Sequence, residues 1–174
     1  MHATDIGLLA LRLAVGLTFA AHGAQKSFGW WAGPGPRRWR GAMASMGFTP
    51  PGLFAAISMG VELVAGLLLA VGLATPLAAA ALVAQSVVIV GRAHWAKGFF
   101  NAAGGYEYPL VLGIVAAVVG FLGAGRVSLD EVIGLHPEIK VRAVLLVIGL
   151  LAGLVVAFIL PMVQARAGGG LRRT

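Results

Sequence analysis

The sequence contains no cysteine. Thiolate nucleophiles, disulfide exchange, cysteine-ligated iron–sulfur clusters and cysteine zinc sites are therefore excluded within this chain. Charge is scarce as well: 11% of the 174 residues are Asp, Glu, Lys or Arg, where soluble domains carry about a quarter. Acidic residues are the scarcest, six against thirteen Lys and Arg, for a net charge of +7. A basic excess with no soluble basic domain to hold it suits anionic lipid headgroups and argues against nucleic acid. A basic, cleavable leader is also missing. Asp5 precedes the first apolar run and Arg12 interrupts it, so that run is expected to stay in the mature protein.

What is present is apolar. Hydrophobic residues make up 59% of the chain and the mean hydropathy is +0.93, which points to the membrane. The 26 glycines fit close approach between membrane helices. Apolar runs lie at about Ile6–Ala21, Leu53–Leu73, Leu77–Val90, Pro109–Leu122 and Val141–Val163. Spans need roughly 20 apolar residues each. The fold expected is an all-α membrane protein, an antiparallel four-helix transmembrane bundle plus a fifth C-terminal transmembrane helix. Residues 1–135 would form the four-helix domain, with an interfacial segment at 27–52. The added helix would occupy 136–164 and a basic, mobile tail 165–174. Ala74-Thr75-Pro76 is so short a turn that the helices on either side must be antiparallel neighbours. Between Ser27 and Gly52, three Trp and three Arg alternate as a membrane–water interface favours, and Pro36 is placed to start a short helix there. Ser128 to Glu131 has capping-box spacing and predicts another short helix.

Orientation follows from Lys and Arg outside the spans. One side carries nine (Lys26, Arg37, Arg38, Arg40, Arg92, Lys97, Arg166, Arg172, Arg173) and the other three (Arg126, Lys140, Arg142). The positive-inside rule places the C-terminus in the cytoplasm. The expected location is the cytoplasmic (inner) membrane of a bacterium.

Three polar residues interrupt the apolar runs. Counting from the same face, Arg12 lies about 15 Å deep, Glu62 about 13–14 Å and Gln85 about 9 Å. An unpaired charge at mid-membrane costs at least ~2.5 kcal/mol, so Arg12 and Glu62 are expected to pair. The pair reads either as a salt bridge fixing helix register or as a polar chamber that binds a headgroup or relays protons. At the basic face His22, Gln25, Lys26, His94, Lys97 and Glu107 gather. Two histidines raise haem or metal ligation, but no His-x-x-x-His or Glu-x-x-His spacing supports it, and neither is expected. Histidine exchanges protons near neutral pH, as quinone reduction requires. Trp95, Phe99, Phe100, Tyr106 and Tyr108 read as a stacking surface for a flat ring or as an aromatic belt. The connector Gly91–Pro109 would then be a lid over Arg12, Glu62 and Gln85.

These residues carry a family likeness. His22-Gly23, Gln25-Lys26 and Phe28-Gly29 are followed by Glu62, then by Gly66-Leu67-Leu68-Leu69 and Gly72. Gly98-Phe99-Phe100, Gly105-Tyr106-Glu107-Tyr108-Pro109 and Gly125-Arg126-Val127-Ser128-Leu129-Asp130 continue the pattern. Over Leu8 to Ile133 the chain resembles the DoxX family of small integral membrane proteins. It departs where Ala124-Gly125-Arg126-Val127 stands for an expected Pro-Gly-Arg-Tyr, and in its fifth span. The resemblance implies a four-helix bundle tied to membrane redox chemistry, as in subunits of thiosulfate:quinone oxidoreductase. Some relatives anchor an oxidoreductase complex with a superoxide dismutase and a sulfurtransferase.

The leading expectation is a membrane subunit of an oxidoreductase complex, a possible quinone-linked enzyme subunit, with a quinone headgroup near the basic face. Glu62, Glu107 and His94 would carry the proton chemistry. Arg12, His22, Gln25, Lys26, Gln85, Lys97 and Tyr106 would bind the ligand. Electrons would come from protein partners in that complex. The alternatives are a non-catalytic scaffold or accessory subunit, and a small transporter or lipid-binding protein.

Overall fold

A computed structural model describes residues 2–164, and the expected basic tail lies outside them. Helix α1 (Ala3–Phe28) is followed by a short helix α2 (Gly35–Ser45). Helices α3 (Pro51–Val71) and α4 (Thr75–Lys97) form a hairpin. Helix α5 (Glu107–Leu122), the short α6 (Leu129–Ile133) and α7 (Ile139–Gln164) complete the chain. Among the described residues there are helices and no strands. Four helices, α1, α3, α4 and α7, are long and apolar enough to cross a membrane. The protein is an all-α integral membrane protein.

Helix α5 differs from the others. With 16 residues it is about 24 Å long, short of the ~30 Å hydrocarbon core. The C-terminal helix, expected as an addition, is one of the four full-length ones. Helix α1 also runs further than the apolar run suggested, through the polar cluster His22–Lys26 to Phe28. It continues because Gly23 and Ala24 are buried against α3; a Cβ on Gly23 would lie 2.5 Å from the Leu63 backbone nitrogen. Packing of that kind overrides a polar local composition.

Small residues make the seams. On α7, Gly149, Gly153 and Ala157 recur every four residues along one buried face. A Cβ on Gly149 would lie 2.3 Å from the Ala80 carbonyl oxygen of α4. Without hydrophobic driving force in lipid, such backbone approach is what holds helices together. The opposite face of α7 is exposed, from Val144 and Val147 through Leu151 to Phe158. The core lies among α1, α3, α4 and α5, around Phe19, Leu69, Leu82 and Val119.

Helix α2 packs against α1 and the start of α3. Met43 is buried and Trp39 half-buried, while Arg37, Arg38 and Arg40 are exposed. Pro36 stands in its first turn as expected, where a missing N–H does no harm. At the opposite end of the bundle Ser128 caps α6 by accepting from the Glu131 backbone N–H at 3.2 Å, as its spacing predicts.

Candidate functional site

Two charged residues are sealed in the bundle, Arg12 and Glu62, with 1% and 0% exposure. They do not pair. Arg12 donates to the carbonyls of Ala124 and Val127, in the loop before α6. Glu62 accepts both oxygens' worth of hydrogen bonds from Lys26, the longer at 2.6 Å, and one from Gln85 at 2.8 Å. The expected Arg12–Glu62 pair is thus corrected, and the reason is the length of α1. The expected depth takes the helix to end at His22, but it extends to Phe28, about 9 Å further. That puts Arg12 near the other end, with its guanidinium filling the place of a Gly72 side chain: a Cβ there would lie 2.3 Å from Nη1.

The Arg12 end is knitted by backbone. Asp130 accepts from the N–H groups of Ala74 and Thr75 at 2.7 and 2.9 Å, capping α4 where a carboxylate complements the helix dipole. Asp5 accepts from the Arg126 N–H at 3.2 Å. Polar side chains here close a turn and a loop onto α1.

The Glu62 end is built from side chains around a cavity of about 240 Å³, smaller than the ~300–1,000 Å³ of most small-molecule sites. Phe19, His22 and Lys26 of α1 line it, with Trp39 of α2, Glu62 of α3, Ile89, Ala93 and His94 of α4, and Asn101, Tyr108, Pro109 and Leu112 from the connector and α5. Two local distortions shape it. Val61–Ala65 in α3 and Ile89–His94 in α4 are wide π-helical turns, which concentrate at functional sites. One carries Glu62 and the other ends at His94.

Lys26 sits between an anion and an aromatic face, 4.2 Å from the Trp39 ring centroid. His22, one turn earlier on α1, meets Tyr108 edge-on at 6.2 Å between centroids. His94 Nδ1 lies 2.7 Å from the Gly104 carbonyl oxygen. A carbonyl only accepts, so Nδ1 carries the hydrogen and Nε2 remains to accept or, in the imidazolium, to donate. Trp39 Nε1 is buried without a hydrogen-bond partner. The cavity wall is therefore mainly apolar with a few donor groups set in it, and its carboxylate is already engaged.

Of the residues expected at a site, the structure gathers His22, Lys26, Glu62 and His94 on the cavity and sets Gln85 directly behind Glu62. Gln85 also donates to Ser58 Oγ at 2.8 Å. The others lie elsewhere. Glu107 accepts from the Asn101 backbone N–H at 3.0 Å and holds the connector's turn. Tyr106 stacks on Trp95, 5.1 Å between centroids. Lys97 is exposed and lies against Gly104. Gln25 faces the turn at Gly33. Trp39 and Asn101 line the cavity without having been anticipated. Trp39 had a signal: it shares a helix face with Met43, one turn on.

No curated protein and no solved structure matches the chain. The family model described as DoxX matches residues 7–95. The Gly105–Pro109 and Gly125–Asp130 elements fall beyond that match. His22, Lys26, Trp39, Glu62, Gln85 and His94 fall inside it, and with just over half its length covered the chain belongs to the DoxX family.

Proposed function

We propose that this chain is the integral membrane subunit of an oxidoreductase complex, and that its cavity takes the ring headgroup of a membrane-dissolved quinone. The observation that carries the reading is the set of donors in an otherwise apolar wall: the Lys26 ammonium and the unpartnered Trp39 N–H, with His94 Nε2 available on a residue of the same wall. Such a wall fits a ligand whose polar atoms are acceptors, as ring carbonyls are. A bound quinone supplies a two-electron, two-proton couple.

In this reading Lys26 and Trp39 donate to one ring oxygen, and Glu62 keeps Lys26 aimed. Lysine beside the ring favours negative charge gained on reduction. His94 exchanges a proton through Nε2, with its ring orientation fixed by the Gly104 carbonyl. Gln85 and Ser58 hold the carboxylate from behind. His22 and the exposed Tyr108 stand at the rim. A protein partner supplies or removes the electrons. The basic end faces the cytoplasm of a bacterial inner membrane, by the positive-inside rule.

The reading is tested by titrating the purified protein in lipid nanodiscs with decylubiquinone. Saturable binding is expected, weakened at least about tenfold by Lys26→Met or His94→Ala, since charge-assisted hydrogen bonds are worth about 1.5–3 kcal/mol. Absence of saturable binding in the unsubstituted protein would overturn it. Mild-detergent purification should also bring down a redox protein.

One observation favours a second reading, a non-catalytic scaffold. Helix α7 leaves a long apolar face exposed, a surface on which a partner's helix can pack. In that case the complex assembles with both variants and its electron transfer is unchanged.

A further inference from the structure

Helix α2 presents two different faces. Inward, Met43 is 4% exposed and packs with Phe48 and Ala55, while Trp39 lies over Lys26 and walls the cavity. Outward, Arg37, Arg38 and Arg40 are exposed, and among the described residues none pairs with a carboxylate. Residues 165–174 contain no Asp or Glu to pair with them. Cations three positions apart on one helix face repel each other. Their end of the bundle cannot neutralise them. Its two acidic residues are Glu62, held by Lys26, and Glu107, held by the Asn101 N–H. Exposed Phe28, Trp30, Trp31 and Trp95 ring the same end, at the depth where aromatic side chains meet headgroups.

We propose that the outer face of α2 is a docking surface for anionic phospholipid headgroups, and that this docking holds α2 where Trp39 covers Lys26 and walls the cavity. The helix lies flat at the interface, as amphipathic surface helices do. Gly35 and Gly47 stand at its two ends with φ of +65° and +87°, a region open to glycine and strained for other residues. At its far end Arg92 donates to the Met46 carbonyl and lies 5.9 Å from the Phe48 ring centroid. The near end, which bears the arginines, is held by Gly35 packed beside Gly29 and by Trp39 over Lys26, and lipid adds the partner its cations lack. The inference holds whatever the cavity binds.

The test compares the full chain in nanodiscs of phosphatidylcholine alone and with phosphatidylglycerol added. Spin-labelled lipids report selectivity, and hydrogen exchange reports the amides of residues 35–45. The expected result is preference for phosphatidylglycerol and slower exchange across α2 when it is present. Each arginine near an anionic surface is worth roughly fivefold, so R37Q/R38Q/R40Q should lose most of the preference and the slowing. Replacing the three by lysine should keep both, and R126Q/K140Q, at the other end, should change neither. If the glutamine variant does not fold, the lipid comparison on the unsubstituted chain decides alone. Equal exchange in the two lipids overturns the proposal. So does a preference that survives the triple glutamine substitution; the arginines would then belong to an acidic protein partner.

Discussion

The two ends of the bundle bury a charge in opposite ways. At one end Arg12 meets backbone carbonyls, and neighbouring Asp130 and Asp5 meet backbone N–H groups. Charge is balanced there: Arg12, Arg126, Lys140 and Arg142 stand against Asp5, Asp130, Glu131 and Glu138. At the other end Glu62 meets side chains from two other helices, in the wall of a cavity, and basic residues outnumber acidic ones. A buried charge held by backbone fixes a turn. A buried charge held by side chains, with donors left over beside it, can respond to a ligand. Burial alone does not separate structure from function, but the identity of the partner does.

Substitutions can break that comparison, and the largest effect is expected at Arg12. Arg12→Met strands two loop carbonyls and should cost about 3–5 kcal/mol, read as lost folded yield or lower unfolding midpoint in mixed micelles. Any folded fraction should still bind decylubiquinone. If its binding is lost while the fold is intact, the two ends are coupled and the contrast fails. Glu62→Gln comes next, at about 3 kcal/mol, because it leaves Lys26 charged without a partner. The double variant K26M/E62M should regain stability to within about 1 kcal/mol of the unsubstituted protein while binding stays lost. A double variant as unstable as the single one would make the pair a structural element like Arg12.

Asp130→Asn should cost about 1–2 kcal/mol, since one of two acceptor oxygens is replaced by a donor facing the N–H groups of α4. Its effect on decylubiquinone binding should be nil. The smallest stability change is expected for His94→Ala, under about 1 kcal/mol, because its one contact lies in a half-buried connector. Binding is where His94 should register. Substantial unfolding on its removal would mean that the His94–Gly104 contact holds the connector rather than the ligand.

The helices were legible because apolar runs and turn residues name them directly: Ala74 to Pro76 makes the α3–α4 hairpin, and Ser128 caps α6. Their ends were less so. Nothing local reveals that His22–Lys26 stays helical, because the cause is contact with Leu63, forty residues away in sequence. That single misplacement moved Arg12 to the wrong partner. The Lys26–Glu62 pair joins residues far apart in the chain with no spacing to betray it. Glu107 and Tyr106 looked chemical because they are titratable and aromatic, yet both serve the connector's own turn. The cavity itself depends on two π-helical turns, and these have no compositional signature.

The clasp between Gln164 and Thr49 has a consequence for how the protein is made. The Gln164 side chain donates to the Thr49 carbonyl and accepts from the Thr49 N–H at 3.1 Å, joining the last turn of α7 to the junction between α2 and α3. Synthesis runs from the N-terminus, so that junction waits for more than a hundred further residues. Until α7 is inserted, the junction lacks this tether. A product truncated before Gln164 would carry the α2–α3 junction without that clasp, so the fixing of this junction and the insertion of α7 become one event.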